Sequence, residues 1–210
     1  MPGLADTVSE ERAMTDDDQV MIRIQEGDSR AFNELVETHQ GPLIGFFFRN
    51  TRDKQLAEDL TQETLLRVYN QAWDYLPRGK FRGWMFRIAR NLLIDSVRRQ
   101  SSDALVHAFK GRRDDEADAL ARIAGEVLSV EEQAKHRELA GMVDELLEQI
   151  PEDQRLTFTL HHFGGLPLPE VAEVMETSTA TTKSRLRLAR EKLRERLLQR
   201  GVDDPNVPQE

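Results

Sequence analysis

Two stretches of the chain combine arginines with small hydrogen-bonding side chains in a pattern suited to nucleic acid. In FRGWMFRIARNLLIDSVRR, residues 81–99, a helical projection puts Arg87, Arg90, Asn91 and Arg98 on one side, with Phe86 among them. Cations hold phosphates, an amide hydrogen-bonds a base edge, and an aromatic ring stacks on an unpaired base. In TSTATTKSRLRLAREKLRERL, residues 177–197, Ser178, Thr181, Lys183, Ser184, Arg187 and Arg190 supply hydroxyls and cations to the first turns of a second helix. Arginine reads guanine edges in a major groove, and hydroxyls and lysine take phosphates. A solvated basic face has the same composition, so the pattern gains meaning only from what surrounds it.

A third set, Asp59, Gln62 and Glu63, lies at i, i+3 and i+4 and so shares one helix face. Paired carboxylates can serve catalysis or bind a metal, but no histidine lies near in sequence to complete a ligand set. A solvated face or a docking face for a protein partner remains. His161 and His162 are adjacent, about 100° apart on a helix, which is not metal-ligand spacing; they read as partly buried packing residues. No catalytic constellation, metal-ligand set or cofactor motif emerges.

Helices must position all of these groups. Asp16, Asp17 and Asp18 suit the positive end of a helix carrying Val20, Ile22 and Ile24. Gly27 ends it, and Asp28 or Ser29 caps a second helix through Phe32, Leu35 and Val36, with Gly41-Pro42 predicting a break before LIGFFFRN. A long helix then turns Leu56, Leu60, Leu65 or Leu66 and Tyr69 inward. The connector DYLPRGKFRG, with Arg78, Lys80 and Arg82 among Pro77, Gly79 and Gly83, reads as a mobile cationic loop. In the following helix Phe81, Trp84, Met85, Ile88, Leu92 and Ser96 form the stripe that packs on a core.

After an irregular charged stretch, a periodic segment ends at Pro151, and PEDQRLTFTLHHF opens another helix with Glu152 and Asp153 in its first turn. GLPLPEVAEVMETSTATTKSRLRLAREKLRERL then reads as helix, turn, helix: Val171, Val174 and Met175 face inward, Ala172 permits a close crossing, and Ser178 caps the second helix. On that helix Thr182, Leu186, Ala189, Leu193 and Leu197 form the buried stripe.

The chain has 210 residues, enough for one or two small domains each with a core of its own. Its net charge of −9 conceals strong segregation. Arg78, Lys80, Arg82, Arg87, Arg90, Arg98 and Arg99 face only Asp95, and the helix from Lys183 to Arg200 is similarly basic. Acid is concentrated in the first eighteen residues and from Asp114 to Glu176. Two basic patches separated by acid suggest a two-point grip on a polyanion. The acidic start lacks the pattern of a signal peptide and no apolar run approaches a membrane span, so a cytoplasmic protein without membrane insertion is expected. The absence of cysteine excludes disulfides and thiolate chemistry.

Four stretches, DDDQVMIRIQEGDSRAFNELV, LAEDLTQETLLRVYNQAWDY, FRGWMFRIARNLLIDSVRRQ and GLPLPEVAEVMETSTATTKSRLRLAREKLRERL, appear in the order of a known family. The chain resembles the extracytoplasmic-function group of the bacterial sigma-70 family. The resemblance implies an all-α protein of two small helical domains joined by a flexible acidic linker. Its parts are a tail over 1–15, sigma region 2 over 16–100, a linker over 101–130, a helix-turn-helix sigma region 4 over 131–200, and a tail over 201–210.

It further implies that Asp59, Gln62 and Glu63 dock on core RNA polymerase, and that Arg78, Lys80, Arg82, Arg87, Arg90 and Asn91 read and help melt the minus-ten promoter element. Ser178, Thr181, Lys183, Ser184, Arg187 and Arg190 match the helix that reads the minus-thirty-five element. Partners implied are core polymerase, promoter DNA as duplex and melted strand, and a small anti-sigma factor. There are departures. Glu176 stands where the family usually has Gly in the turn, which requires a left-handed conformation or a shifted turn. Pro167 stands where a capping Ser is common.

The function implied is promoter recognition, melting and transcription initiation without catalysis. A free-standing helix-turn-helix regulator with an N-terminal sensing or dimerisation module is the alternative. An all-α hydrolase using Asp59 and Glu63 with one histidine is the third class.

Overall fold

The computed structural model describes residues 14–104 and 141–202. Among them the regular elements are helices and one 3-10 turn. Helices α1 (Asp16–Gln25), α2 (Ser29–Thr51), α3 (Lys54–Asn70) and α4 (Phe81–Ala104) form the N-terminal part, with the 3-10 turn Ala72–Asp74 after α3. A helical stretch over 141–148 (α5) precedes α6 (Glu152–His162), α7 (Leu168–Val174) and α8 (Thr179–Gln199). The expectations for residues 1–13, 105–130 and 203–210, and for the start of the second domain, lie outside the described residues.

Local chemistry sets the helix starts. Thr15 and Asp18 form a capping box on α1, Asp28 caps α2 through the N–H of Arg30, and Asp53 caps α3 through that of Leu56. The break foreseen at Gly41-Pro42 does not occur: α2 runs through Pro42. An interior proline costs about 3 kcal/mol, but burying Leu43, Phe46 and Phe47 beyond it returns about 1.5–3 kcal/mol for each side chain. Gly41 helps, because the proline ring meets no side chain on the preceding residue. Packing of α2 on α3 therefore outweighs the local breaker.

The N-terminal core contains Met21, Leu35, Leu43, Phe46, Phe47, Phe81, Met85, Phe86 and Leu92. One inward assignment on α3 needs correction. Leu60 is buried, and of the pair Leu65 and Leu66 it is Leu65 that turns inward while Leu66 is 53% exposed, but Tyr69 is 41% exposed. Its ring lies 4.8 Å from that of Phe32, which packs against the core, and meets Trp73, which is also exposed, edge-on at 6.3 Å.

The C-terminal part does not keep its core to itself. Leu146, Leu147, Ile150, Ala189 and Leu193 form a small cluster between α5 and α8. Leu156, Leu160, Leu166, Val171, Val174 and Met175 join the N-terminal core instead. Arg49 of α2 reinforces this seam: its Nε donates to Asp144 at 2.8 Å and its guanidinium lies 3.6 Å over the Phe163 ring. Burial pulls the Arg49 pKa down and pushes that of Asp144 up, both against their mutual attraction.

Candidate polymerase and nucleic-acid interfaces

The connector ahead of α4 is held by α1 rather than left mobile. Asp18, fully buried, accepts hydrogen bonds from the Gly79 N–H at 2.8 Å, the Thr15 N–H at 2.8 Å and the Tyr75 hydroxyl. Burial alone would raise the carboxyl pKa, but donors from Thr15, Tyr75 and Gly79 together outweigh it and hold the value below the ordinary range. Gln25 donates to the carbonyls of Ala72 at 2.7 Å and Tyr75 at 2.9 Å. Gly79, at φ 68°, supplies the left-handed turn that aims its N–H at Asp18. Arg78 and Lys80 thus stand exposed on a fixed loop.

On α4, Arg87 and Asn91 are exposed one turn apart, while Arg82 and Arg90 are partly covered. Phe86 does not belong to this face. It is fully buried, packs edge-on to Phe46 at 5.5 Å and meets the backbone at Gly164. A residue adjacent to Arg87 points about 100° away on a helix, and a large apolar ring there follows the core. Trp84 and Ile88, assigned to the buried stripe, are only partly buried, and Ala89 and Leu93 complete that stripe.

The α3 triad is exposed as its spacing implied. Asp59 accepts from Gln55 at 3.0 Å, and Glu63 pairs with Arg67 at 2.8 Å. Asp59 and Glu63 line a groove between α3 and α4 that Leu92 and Arg99 close. Leu66, Tyr69, Trp73 and Leu76 continue the face as exposed apolar side chains. Their contribution escaped sequence reading because a helical projection assigned Tyr69, and either Leu65 or Leu66, to the core.

At the other end, Ser178 caps α8 by accepting from the Thr181 N–H at 3.0 Å. Thr181, Lys183, Ser184, Arg187 and Arg190 are exposed, and Thr182, Leu186, Ala189 and Leu193 are buried beneath them. Arg187 pairs with Glu191 at 2.6 Å. Arg190 donates to His162 Nε2 at 3.1 Å. His162 is more exposed than its assignment as a packing residue implied, although its ring stacks on Phe158 at 4.4 Å. Partial desolvation, then the charges of Arg190 and His161, lower its pKa to about 4. His161 is half-buried and anchored through Nδ1 to the Leu166 carbonyl at 2.8 Å.

The two departures lie at opposite ends of α7. Pro167 stands at the start of α7 without a side-chain cap, and Glu176 takes the left-handed conformation at φ 52°. The Thr177 N–H reaches the Ala172 carbonyl at 3.0 Å, closing the helix end as a glycine would, at a conformational cost of about 1–2 kcal/mol.

Among the described residues no group of three acidic or histidine side chains could hold a metal, and no helix is long and apolar enough to cross a membrane. Residues 35–103 match the family model Sigma-70 region 2, and residues 140–193 match Sigma-70, region 4. The RNA polymerase sigma-H factor of Pseudomonas aeruginosa is 31% identical over 184 residues, covering 83% of this chain and 90% of that protein. The ECF RNA polymerase sigma factor SigM of Bacillus subtilis is 31% identical over 172 residues, covering 82% and 98%. Among solved structures, CnrH in complex with the cytosolic domain of CnrY shares the fold, with a TM-score of 0.63 at 24% identity over 87% of this chain and 97% of that one. The sigma factor RpoE in complex with the anti-sigma factor NepR from Bartonella quintana does so with a TM-score of 0.63 at 20% identity over 80% and 96%. Sigma regions match in both halves and in order, which removes the reading of a free-standing regulator. The chain belongs to the extracytoplasmic-function group of the sigma-70 family, the sigma factors that direct bacterial RNA polymerase in transcription initiation.

Proposed function

We propose that this sigma factor divides its work among three surfaces and performs no catalysis of its own. Asp59, Gln62 and Glu63 dock on core RNA polymerase, with Leu66, Tyr69 and Trp73 adding an apolar extension to that contact. The loop cations Arg78, Lys80 and Arg82, with Arg87, Arg90 and Asn91 of α4, take the minus-ten element and hold unpaired bases. Ser178, Thr181, Lys183, Ser184, Arg187 and Arg190 take the minus-thirty-five duplex. The observation that carries the reading is the pairing of Arg87 and Asn91, exposed one turn apart on a helix that buries Met85, Ala89, Leu92 and Leu93 on its opposite side. That arrangement makes α4 a rigid edge presenting a phosphate ligand beside a base-edge ligand.

The domain division follows the same assignment: region 2 over 16–100, linker over 101–130, region 4 over 131–200, and terminal tails. The protein acts in the cytoplasm, where its polymerase and DNA partners are. A small anti-sigma factor is a further partner, a reading supported by the fold neighbour RpoE having been solved with the anti-sigma factor NepR bound. Reconstitution with core polymerase on fragmented genomic DNA tests the proposal. Transcripts should begin at discrete sites sharing two upstream elements; failure to associate with core polymerase, or starts unchanged by the protein, would contradict it.

A further inference from the structure

Helix α1 carries none of the residues assigned to DNA, yet it fixes the loop that presents Arg78 and Lys80. Gln25, at its C-terminal end, donates to the carbonyls of Ala72 and Tyr75 at 2.7 Å and 2.9 Å, where the connector leaves the 3-10 turn. Asp18, at its N-terminal end, accepts from the Tyr75 hydroxyl through Oδ1 and from the Gly79 N–H at 2.8 Å through Oδ2. Between those anchors Leu76, Pro77 and Arg78 are exposed. The tip that carries Arg78 is short, and both of its ends are tied to one helix.

Asp18 does more than a helix cap requires. The acid of a capping box needs only to accept from the N-cap residue, here from the Thr15 N–H at 2.8 Å and its hydroxyl at 3.0 Å, and it can do so in water. Asp18 is instead fully buried. With Tyr75 and Gly79 added, one carboxylate meets four donors, about as many as it can accept. Burial and the Asp18 charge raise the Tyr75 pKa, so its hydroxyl stays the donor. The Tyr75 ring packs in turn on Phe81 at 5.7 Å and Trp84 at 5.0 Å, in the first turn of α4. Apolar packing alone buries a ring; the carboxylate adds direction, because its hydrogen bonds form at one register of the loop.

We propose that Asp18 is a positioning residue for promoter opening: acting through Tyr75 and Gly79, it pre-forms the tip at Leu76, Pro77 and Arg78, so that an unpaired base of the minus-ten strand meets a loop already ordered. This rests on the assignment of that loop to the minus-ten element. An untethered tip has to be ordered as the base is taken, and the lost entropy weakens capture.

The test uses the full chain with core polymerase on a promoter fork whose minus-ten strand is left unpaired, with one abasic site placed at each unpaired position in turn. For the parent, removing the captured base should weaken binding about tenfold, as for loss of one stacked base. In Asp18→Ala that dependence should shrink to less than about twofold, with affinity for core polymerase unchanged. Asp18→Asn keeps an oxygen for the Gly79 and Thr15 N–H groups and gains an amide that can donate to the Tyr75 oxygen, so it should restore most of the dependence. Tyr75→Phe keeps the ring packing and loses one anchor, and should leave about threefold. Thr15→Ala removes the hydroxyl cap on the Asp18 N–H without touching the loop anchors. It should lower the denaturant midpoint and keep the full dependence.

A purely structural Asp18 would lower stability and weaken every fork alike. Full base dependence in Asp18→Ala, or its equal loss in Thr15→Ala, would overturn the proposal. Should Asp18→Ala unfold, Tyr75→Phe decides: the full tenfold dependence there would overturn it. Failure of the loop assignment has a different signature, since Arg78→Ala would then reproduce the abasic profile of the parent, and the role of Asp18 would fall with it.

Discussion

Helices α4 and α8 carry similar cargo, arginines and small hydrogen-bonding groups on an amphipathic frame, yet they meet different surroundings. The α4 frame buries Phe81, Met85, Phe86, Ala89, Leu92 and Leu93 in the larger core, and Arg90, with Lys80 just ahead of the helix, lies near carboxylates of the same chain. The α8 frame rests on Thr182, Leu186, Ala189 and Leu193, and its leading cations and hydroxyls face solvent. Composition makes both helices candidates for polyanion binding, and packing sets how much of each face is open. Arg87 and Asn91 of α4 are exposed while Arg82 and Arg90 beside them are partly covered, whereas the α8 set from Thr181 to Arg190 is exposed apart from its buried stripe.

The two frames should break at different depths. Phe86→Ala, which empties a fully buried site between Phe46 and Gly164, should cost about 3–5 kcal/mol in denaturant unfolding and loosen both halves. Trp84→Ala, at a partly buried position, should cost clearly less; equal losses would show that the α4 stripe is misassigned. Asp144→Ala strands Arg49 in the seam and should cost about 3 kcal/mol, read as separation of the halves by small-angle scattering before either unfolds. Loss of helix content in step with separation would contradict that division.

The surface proposed for docking centres on α3 and the turn after it, away from the Arg87 and Asn91 face of α4 and from α8, which makes it a control. Trp73→Ala removes an exposed ring, so stability should change by less than about 0.5 kcal/mol. Affinity for core polymerase should fall by about tenfold, as for an aromatic anchor at an interface. Unchanged affinity would confine docking to the carboxylate face.

The smallest effect concerns His162, which faces α8 through Arg190. Its pKa falls from 6.5 unfolded to about 4 folded, so between these values the unfolded chain binds more protons. Its contribution is present above pH 6.5 and lost as pH falls through this window toward 4. Urea melts of the parent should show that slope, and His162→Gln should flatten it. A slope that survives the substitution would place the titration elsewhere.

Much of this division could be read in the sequence because the relevant signals are local. Ser178 as a cap, the exposed Arg87 and Asn91, and the Val171, Val174 and Met175 stripe follow from helical period and capping chemistry. Errors arose where tertiary contact overrode local preference. Pro42 sits inside α2 because burial of Leu43, Phe46 and Phe47 beyond it outweighs one missing hydrogen bond. Asp18 looked like one of three acids at a helix start, and only the fold turns it inward to hold Tyr75 and Gly79. The facing of Glu173 and Glu176 toward Lys80 and Arg90 joins residues far apart in the chain, which no periodicity within either helix encodes.

The central claim is that α4 opens strands while α8 grips duplex. Permanganate reactivity of unpaired thymines, measured beside binding on a promoter mapped by reconstitution, separates the two. With core polymerase, Asn91→Ala should leave duplex binding within about twofold and reduce thymine reactivity by about tenfold, a loss of about 1.4 kcal/mol. Arg187→Ala should weaken binding by a similar factor while the bound fraction opens normally. Loss of the same property in both variants would contradict the division of labour between the two helices.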